Sequence, residues 1–335
     1  MLTPAYKLTI GSKAVDTTHE PKASTVVDLR VELDMDTPAD RFVVVLGQVN
    51  GLKPALDDQA TIELGYADNG GFTKVMTGSV VAVEPGVTRN RVIAYTAAQK
   101  LLRSFTDQTV ESKTAGEIVG NLCQQANVDT ATVDEGINFP AYVVDSRRSF
   151  YRHMLDLAAL CGFDLYFNAD DKLVFQQFQG GSTVHVFEFA KDVLDLKVER
   201  APAAAASVTA FGESPTGSQG ANSWPWLTKD FSGSKGSAGS GDPAFLLERS
   251  ALRTHDAAQA AAEAANTNFQ RRTLQGHVLS IGRPQVQLGD AIQLRSVADS
   301  SLNKNFQVRS VTHTITKAQG FTTRVGFRAI DIPQA

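Results

Sequence analysis

Residues 145–178, DSRRSFYRHMLDLAALCGFDLYFNADDKLVFQQF, decide the fold, because within them the apolar spacing changes from helical to alternating. Phe150, Met154, Leu157, Ala158 and Cys161 recur as one buried helical face, with Ser149 placed to cap the start and Gly162 to end it. Asp164 to Phe167 then reads as a short apolar strand, Asn168-Ala169-Asp170-Asp171 as a polar turn, and Leu173-Val174-Phe175 as the returning strand. The stretch is a compact helix-plus-hairpin unit without catalytic residues.

Upstream, the pattern is period two. In Val27-Asp28-Leu29-Arg30-Val31-Glu32-Leu33-Asp34 apolar and charged side chains alternate, as in a strand with one dry and one wet face. Weaker versions cover Tyr6 to Ile10, Phe42 to Val49, Ile62 to Tyr66, Val75 to Val83 and Val92 to Tyr95. Turns at Asn50-Gly51, Asp68-Asn69-Gly70-Gly71 and Pro85-Gly86 separate them. Residues 1–97 are therefore expected to form an antiparallel barrel or sandwich. At Thr114-Ala115-Gly116-Glu117 a capping box opens a second helix, about 114–126, whose stripe includes Ile118, Val119, Leu122 and Cys123. With the helix of about 149–161 and the hairpin of 164–178, it makes residues 98–180 a small α/β module.

Alternation resumes at Val184 to Phe189, Leu194 to Val198 and Val208 to Phe211, and after a break at Leu274 to Ile281, Ala291 to Leu294, Phe306 to Ile315 and Thr322 to Ile330. Residues 181–335 thus read as a second β domain. It carries an alanine-rich helix at about 254–272 and a Gly/Ser/Pro-rich insertion at 213–243 that reads as a flexible loop. The fold class expected is β-rich α+β: two antiparallel β-barrel or sandwich domains with a small α/β domain between them.

The chain has 335 residues, 42% of them hydrophobic, enough for several cores. Its 32 basic and 36 acidic residues leave no broad positive surface for nucleic acid or an anionic membrane. The sequence begins without a charged leader and apolar run and nowhere reaches about 20 consecutive apolar residues, so folding in the cytoplasm and no membrane insertion are expected. Cys123 and Cys161 fall on apolar helix faces and read as core residues. His19, His153, His185, His255, His277 and His313 have no metal-ligand spacing, and no GxSxG elbow, Walker loop or Rossmann fingerprint occurs. Asp170-Asp171 and Asp34-Met35-Asp36 sit where turns collect carboxylates and read as solvated. No catalytic, metal or cofactor-binding residue is expected. Arg147-Arg148, the densest basic cluster, is either the wet start of a helix or a contact to a neighbouring subunit. Trp224 and Trp226 either cover an apolar patch of their own domain, the stronger reading, or anchor an interface.

The second half resembles a known family. After the alanine-rich helix come Gly276, Gly282-Arg283-Pro284, Leu288-Gly289-Asp290, Phe306-Gln307-Val308, Val311-Thr312-His313 and Gly320-Phe321-Thr322-Thr323. In order and spacing this run, over roughly 98–330, is similar to the late control protein D family, which includes the hub part of the valine-glycine repeat spike proteins of type VI secretion. In that resemblance Gly282, Pro284, Gly289 and Asp290 shape turns and supply no chemistry. It implies a baseplate hub in a phage virion or contractile injection system: a homotrimer whose two tube-like domains per chain make a pseudo-sixfold ring. A hexameric tail tube protein would sit on one side, a separate trimeric spike on the other, and further baseplate subunits around it. The competing expectations are a tail-associated cell-wall hydrolase and a carbohydrate-binding tail module.

Overall fold

The computed structural model describes residues 3–18, 26–38, 40–47, 54–69, 71–212 and 235–330. It is mostly antiparallel sheet. The N-terminal strands are β1 (Pro4–Ile10), β2 (Lys13–Asp16), β3 (Val26–Asp34), β4 (Arg41–Gly47), β5 (Gln59–Tyr66), β6 (Gly71–Pro85) and β7 (Arg89–Tyr95). Every strand expected in this region is present; β2, too short and too exposed to alternate visibly, is additional. The middle of the chain gives α1 (Ala98–Leu102), β8 (Gln108–Thr114), α2 (Ala115–Gln125), β9 (Thr130–Val133), β10 (Asn138–Val144), α3 (Phe150–Cys161), β11 (Asp164–Phe167) and β12 (Leu173–Gln176). The C-terminal strands are β13 (Val184–Glu188), β14 (Val193–Arg200), β15 (Ser207–Phe211), β16 (Gly236–Gly239) and β17 (Ala244–Glu248), then α4 (His255–Arg271), β18 (Leu274–Ile281), β19 (Ala291–Arg295), β20 (Asn305–Thr316) and β21 (Gly320–Ala329).

The two β regions are hydrogen-bonded into one 13-stranded sheet, whose main path runs β14-β18-β21-β20-β3-β4-β7-β6-β5-β1-β2. The joint is β20. One edge pairs with β21 throughout, while the other is shared: Asn305 to Gln307 pair with β19, and Ser310 to Thr316 pair with β3. A bulge between Val308 and Ser310 re-aims the strand at the changeover and turns Arg309 out of the ladder. A single apolar core then runs from Leu8, Phe42 and Leu64 to Phe306, Val311 and Phe327.

A second core holds the helices, and here the expected layout changes. The sequence places α4 and β15, as parts of 181–335, in the second β domain. Instead Ala257, Ala258, Ala261, Ala262, Val208 and Leu252 share a core with Leu122, Phe139, Leu157 and Phe175 of the α/β module. The cause is the alanine stripe, which lets α4 lie close against α3 and β16; a Cβ on Gly236 would overlap the α4 backbone at Ala258 and Gln259. The helix-plus-hairpin unit is present as read, with Gly162 left-handed at φ +68°. Ser149, however, makes no side-chain capping bond; its carbonyl accepts from the amide of His153. The Thr114–Glu117 capping box is complete. Strands β8, β9, β10, β16 and β17 and helix α1 were not read from the pattern. Part of the segment expected to be a loop, 236–239, is strand; residues 213–234, with Trp224 and Trp226, lie outside the described residues, as does His19. Among the described residues no helix is long and apolar enough to cross a membrane.

Candidate functional site

Three parts of the fold meet beside the β20 bulge: the turn after β3, the hairpin β11–β12 and the C-terminal strands. Arg309 donates to Asp164 Oδ1 (2.5 Å) and to Asp36 Oδ1 (2.8 Å), and the Gln307 amide donates to Asp164 Oδ2 (2.5 Å). Arg328, across the ladder on β21, donates to Asp36 Oδ2 (3.1 Å). Asp164 opens β11, whose four residues are all buried, so its charge is out of water and needs this pairing. Burial pushes its carboxyl up, against the pull of Arg309. For Asp36 burial acts the same way, but Arg309 and Arg328 outweigh it and hold the carboxyl below the usual range. The Asp34-Met35-Asp36 segment is a turn, as read, with Asp34 Oδ1 accepting from the Asp36 amide (2.7 Å), yet Asp36 is a bridging anion and not a merely solvated one. Asp164, Arg309 and Arg328 had not been singled out; an aspartate at the head of an apolar strand was the one signal available.

The turn motif lies at a second junction. The Gly282 carbonyl accepts from the Tyr66 hydroxyl (2.9 Å) of β5, and a Cβ there would overlap the Phe321 ring. Pro284 follows Arg283, whose guanidinium lies 4.5 Å from the Phe187 ring centroid and pairs with Asp192. Gly289 has φ +84° and gives the space occupied by the Tyr166 hydroxyl of β11. Asp290 accepts from the Gln287 amide (3.0 Å), from Ser182 Oγ (2.9 Å) and, at the same oxygen as Gln287, from His185 Nε2 (2.9 Å). The motif thus fastens β19 to its parallel neighbour β13 while receiving the α/β hairpin. Ser182 and His185 both reach the aspartate and do not bond each other, so this is a structural clasp and not a nucleophile–base pair.

The hairpin turn reaches the N-terminal strands as well. Asp170 pairs with Lys74 of β6 (2.6 Å) and stays 57% exposed, as read, whereas Asp171 Oδ1 accepts from the Ala97 amide (2.7 Å), which corrects the solvated reading for Asp171. Burial raises Asp171 to about 6. Of the two arginines, Arg148 is held within the module by Asp156 (3.7 Å) and the Arg152 carbonyl (3.2 Å). Arg147 touches Asp145 (3.0 Å) and stays 88% exposed. Cys123 is buried and Cys161 half-buried; burial pushes both thiols up, to about 12 and about 11. Among the described residues no group of three or more His, Cys, Asp or Glu side chains converges as a metal site.

No protein-family model matches the sequence. No curated protein matches it either. Solved structures do. The 43 kDa tail protein of prophage MuSo2 from Shewanella oneidensis superposes with a TM-score of 0.72 at 12% identity, over 98% of each chain. A tail protein from Neisseria meningitidis MC58 gives 0.70 at 13% identity, again over 98% of each chain. An Escherichia coli component of the type VI secretion system, described as similar in structure to the bacteriophage T4 tail proteins gp27 and gp5, gives 0.63 at 11% identity, over 98% of this chain and 77% of the other. The chain has the fold these phage tail and secretion-system proteins share.

Proposed function

We propose that the protein is a structural subunit of a phage tail or tail-like injection machine and serves as its central hub. Three copies form a ring with six β regions, which seats a hexameric tube protein on one side and a separate trimeric spike on the other; further baseplate subunits pack around it. The observation that carries this reading is the joining of two β regions into one sheet through β3 and β20, so that a single chain presents two strand-built bodies as one unit. The β14 end of that sheet suits ring closure: among the described pairings β14 bonds only β18, so it leaves an unpaired edge that a neighbouring copy can cover. Exposed apolar residues cluster near the β14 end, with Leu194 57%, Phe189 55% and Ile281 41% exposed. The Tyr66–Gly282 bond and the Arg309–Asp36 ion pair hold the bodies in fixed relation, which an adaptor between symmetries requires. The role is scaffolding and not catalysis.

The test is native mass spectrometry with electron microscopy of the full chain, alone and co-expressed with the tube protein of its particle. A threefold ring of about 108 kDa, from subunits of 36.0 kDa, is expected, capping tube hexamers in the co-expression. A chain that stays monomeric in both preparations overturns the reading.

A further inference from the structure

A cleft of about 590 Å³ opens where the C-terminal end of α3 meets the start of α4 and the paired strands β8 and β10. Its walls are largely apolar, built from Ile137, Pro140, Cys161, Phe163, Ala257 and Ala260, and the exposed Asp256 is the one charged residue of the lining. The walls are held in place. The Phe163 ring meets Phe175 edge to face, 5.2 Å between centroids, and the Cys161 thiol accepts from the Ile137 amide (3.4 Å). Among the described residues, the buried side-chain polar atoms that lack a partner all lie outside this lining, so nothing in it calls for a small polar ligand. Size and character are those of a slot for an apolar side chain.

The same chain carries a side chain that fits. Phe105, between α1 and β8, is 54% exposed. The Ser104 carbonyl accepts from the Phe150 amide (3.0 Å) and Asp107 Oδ1 from the Ser146 amide (2.8 Å), so residues 104–107 lie against the start of α3, at the same end as Arg147. Arg147 is 88% exposed and holds only Asp145, while the exposed Arg103 side chain has, among the described residues, no hydrogen bond or ion pair. An aromatic anchor with free guanidinium groups beside it is the composition that protein interfaces favour. Helix α3 has 12 residues, about 18 Å of length, which separates Phe105 at its first turn from the cleft at its last residue. The two cannot meet within one copy. We infer that the cleft receives Phe105 of a second copy of this chain, with Arg103 or Arg147 of that copy set against Asp256. The inference rests on the hub reading and names a contact through which the α/β modules join head to tail around the ring. Each copy gives Phe105 to one neighbour and its cleft to the other, a heterologous contact that a closed threefold ring permits. Charge sets its direction, because the cationic end is drawn to the anionic mouth and two cationic ends repel.

The experiment is disulfide trapping in the full chain, in the assembly it forms with its tube protein. F105C, at an exposed position, is oxidised with copper phenanthroline and read on non-reducing gels. Cross-linked dimers and trimers are expected that disappear in F105C/C161S, since within one copy the length of α3 exceeds the roughly 7 Å between Cα atoms that a disulfide spans. Sedimentation gives the energetic side: F105A and D256K are each expected to weaken association of the copies at least about tenfold, and R103E or R147E added to D256K, which restores opposite charges across the contact, is expected to recover part of it. An intact trimer in which F105C gives no cross-link to Cys161, or in which F105A and D256K leave association unchanged, overturns the inference and leaves the hub reading standing. A chain that is monomeric in every preparation overturns both.

Discussion

Asp40 shows how much one buried group adds to the pH behaviour of the fold. It is 5% exposed, its Oδ1 accepts from the Asp34 amide (2.7 Å), and burial, reinforced by Asp34 and Asp171, raises its carboxyl to about 8. In the unfolded chain the same group titrates near 3.9. Between these values the folded state holds a proton that the unfolded state has lost, so stability falls as pH rises, by about 1.4 kcal/mol per pH unit. His313, buried and pushed down to about 3, has the opposite effect, a loss of stability as pH falls, which is complete in the other direction once pH exceeds about 6.5. Asp171, raised to about 6, adds to the Asp40 slope only below that value. From pH 6.5 to 8 Asp40 therefore acts alone among these three. Urea unfolding across that window should show the decline in the wild type and a flat profile in D40N, whose amide oxygen still accepts from Asp34. Equal slopes in both would mean that Asp40 is ionised in the native state.

Elements are held to one another here at a few close approaches, and Gly289 against Tyr166 is one that can be tested. G289A places a Cβ on the Tyr166 hydroxyl and imposes φ +84° on a non-glycine residue. Strain and overlap together predict a loss of about 2–4 kcal/mol. Adding Y166F removes the overlapping oxygen and should recover part of that loss, leaving the backbone strain; a double variant as unstable as G289A alone would show that the hairpin does not dock on this turn. The glycine was readable as a turn residue, but its partner, more than a hundred residues away, was not. The same limit explains the misplacement of α4. An alanine stripe announces close packing, and Thr254 and Arg271 announce the ends, yet nothing in the stripe names the core it enters. Periodicity recovered the long strands because each spends a whole face in one core. It missed β8 and β9, where few residues are buried, and β17, where Leu246 points to solvent. The Asp36–Arg309–Asp164 joint was illegible for a related reason: its members come from a turn, a bulge and a strand start, places where local pattern carries no information about partners.

At the scale of the molecule, the first ninety-seven residues read as a domain in their own right, and the sheet predicts that they will not behave as one. Strand β3 lies between β4 and β20, with Leu29, Val31 and Leu33 buried in the shared core. Cutting the chain at residue 97 removes β20 and leaves Asp28 to Asp34 with an unpaired edge and a half-covered face. Such an edge pairs with whatever strand it meets. A fragment of residues 1–97 should therefore elute as oligomers or aggregate, whereas the full chain, with β20 in place, should not aggregate through β3. Size-exclusion chromatography with light scattering, and amide exchange of Leu29, Val31 and Leu33 in the full chain, give the two sides of the comparison: strong protection in the full chain and self-association in the fragment. A monomeric, cooperatively unfolding fragment would mean that the N-terminal strands close on themselves. The β3–β20 pairing would then be a contact between two independent bodies, and the rigid relation between them that the hub reading requires would have to come from the Arg309–Asp36 and Tyr66–Gly282 contacts alone.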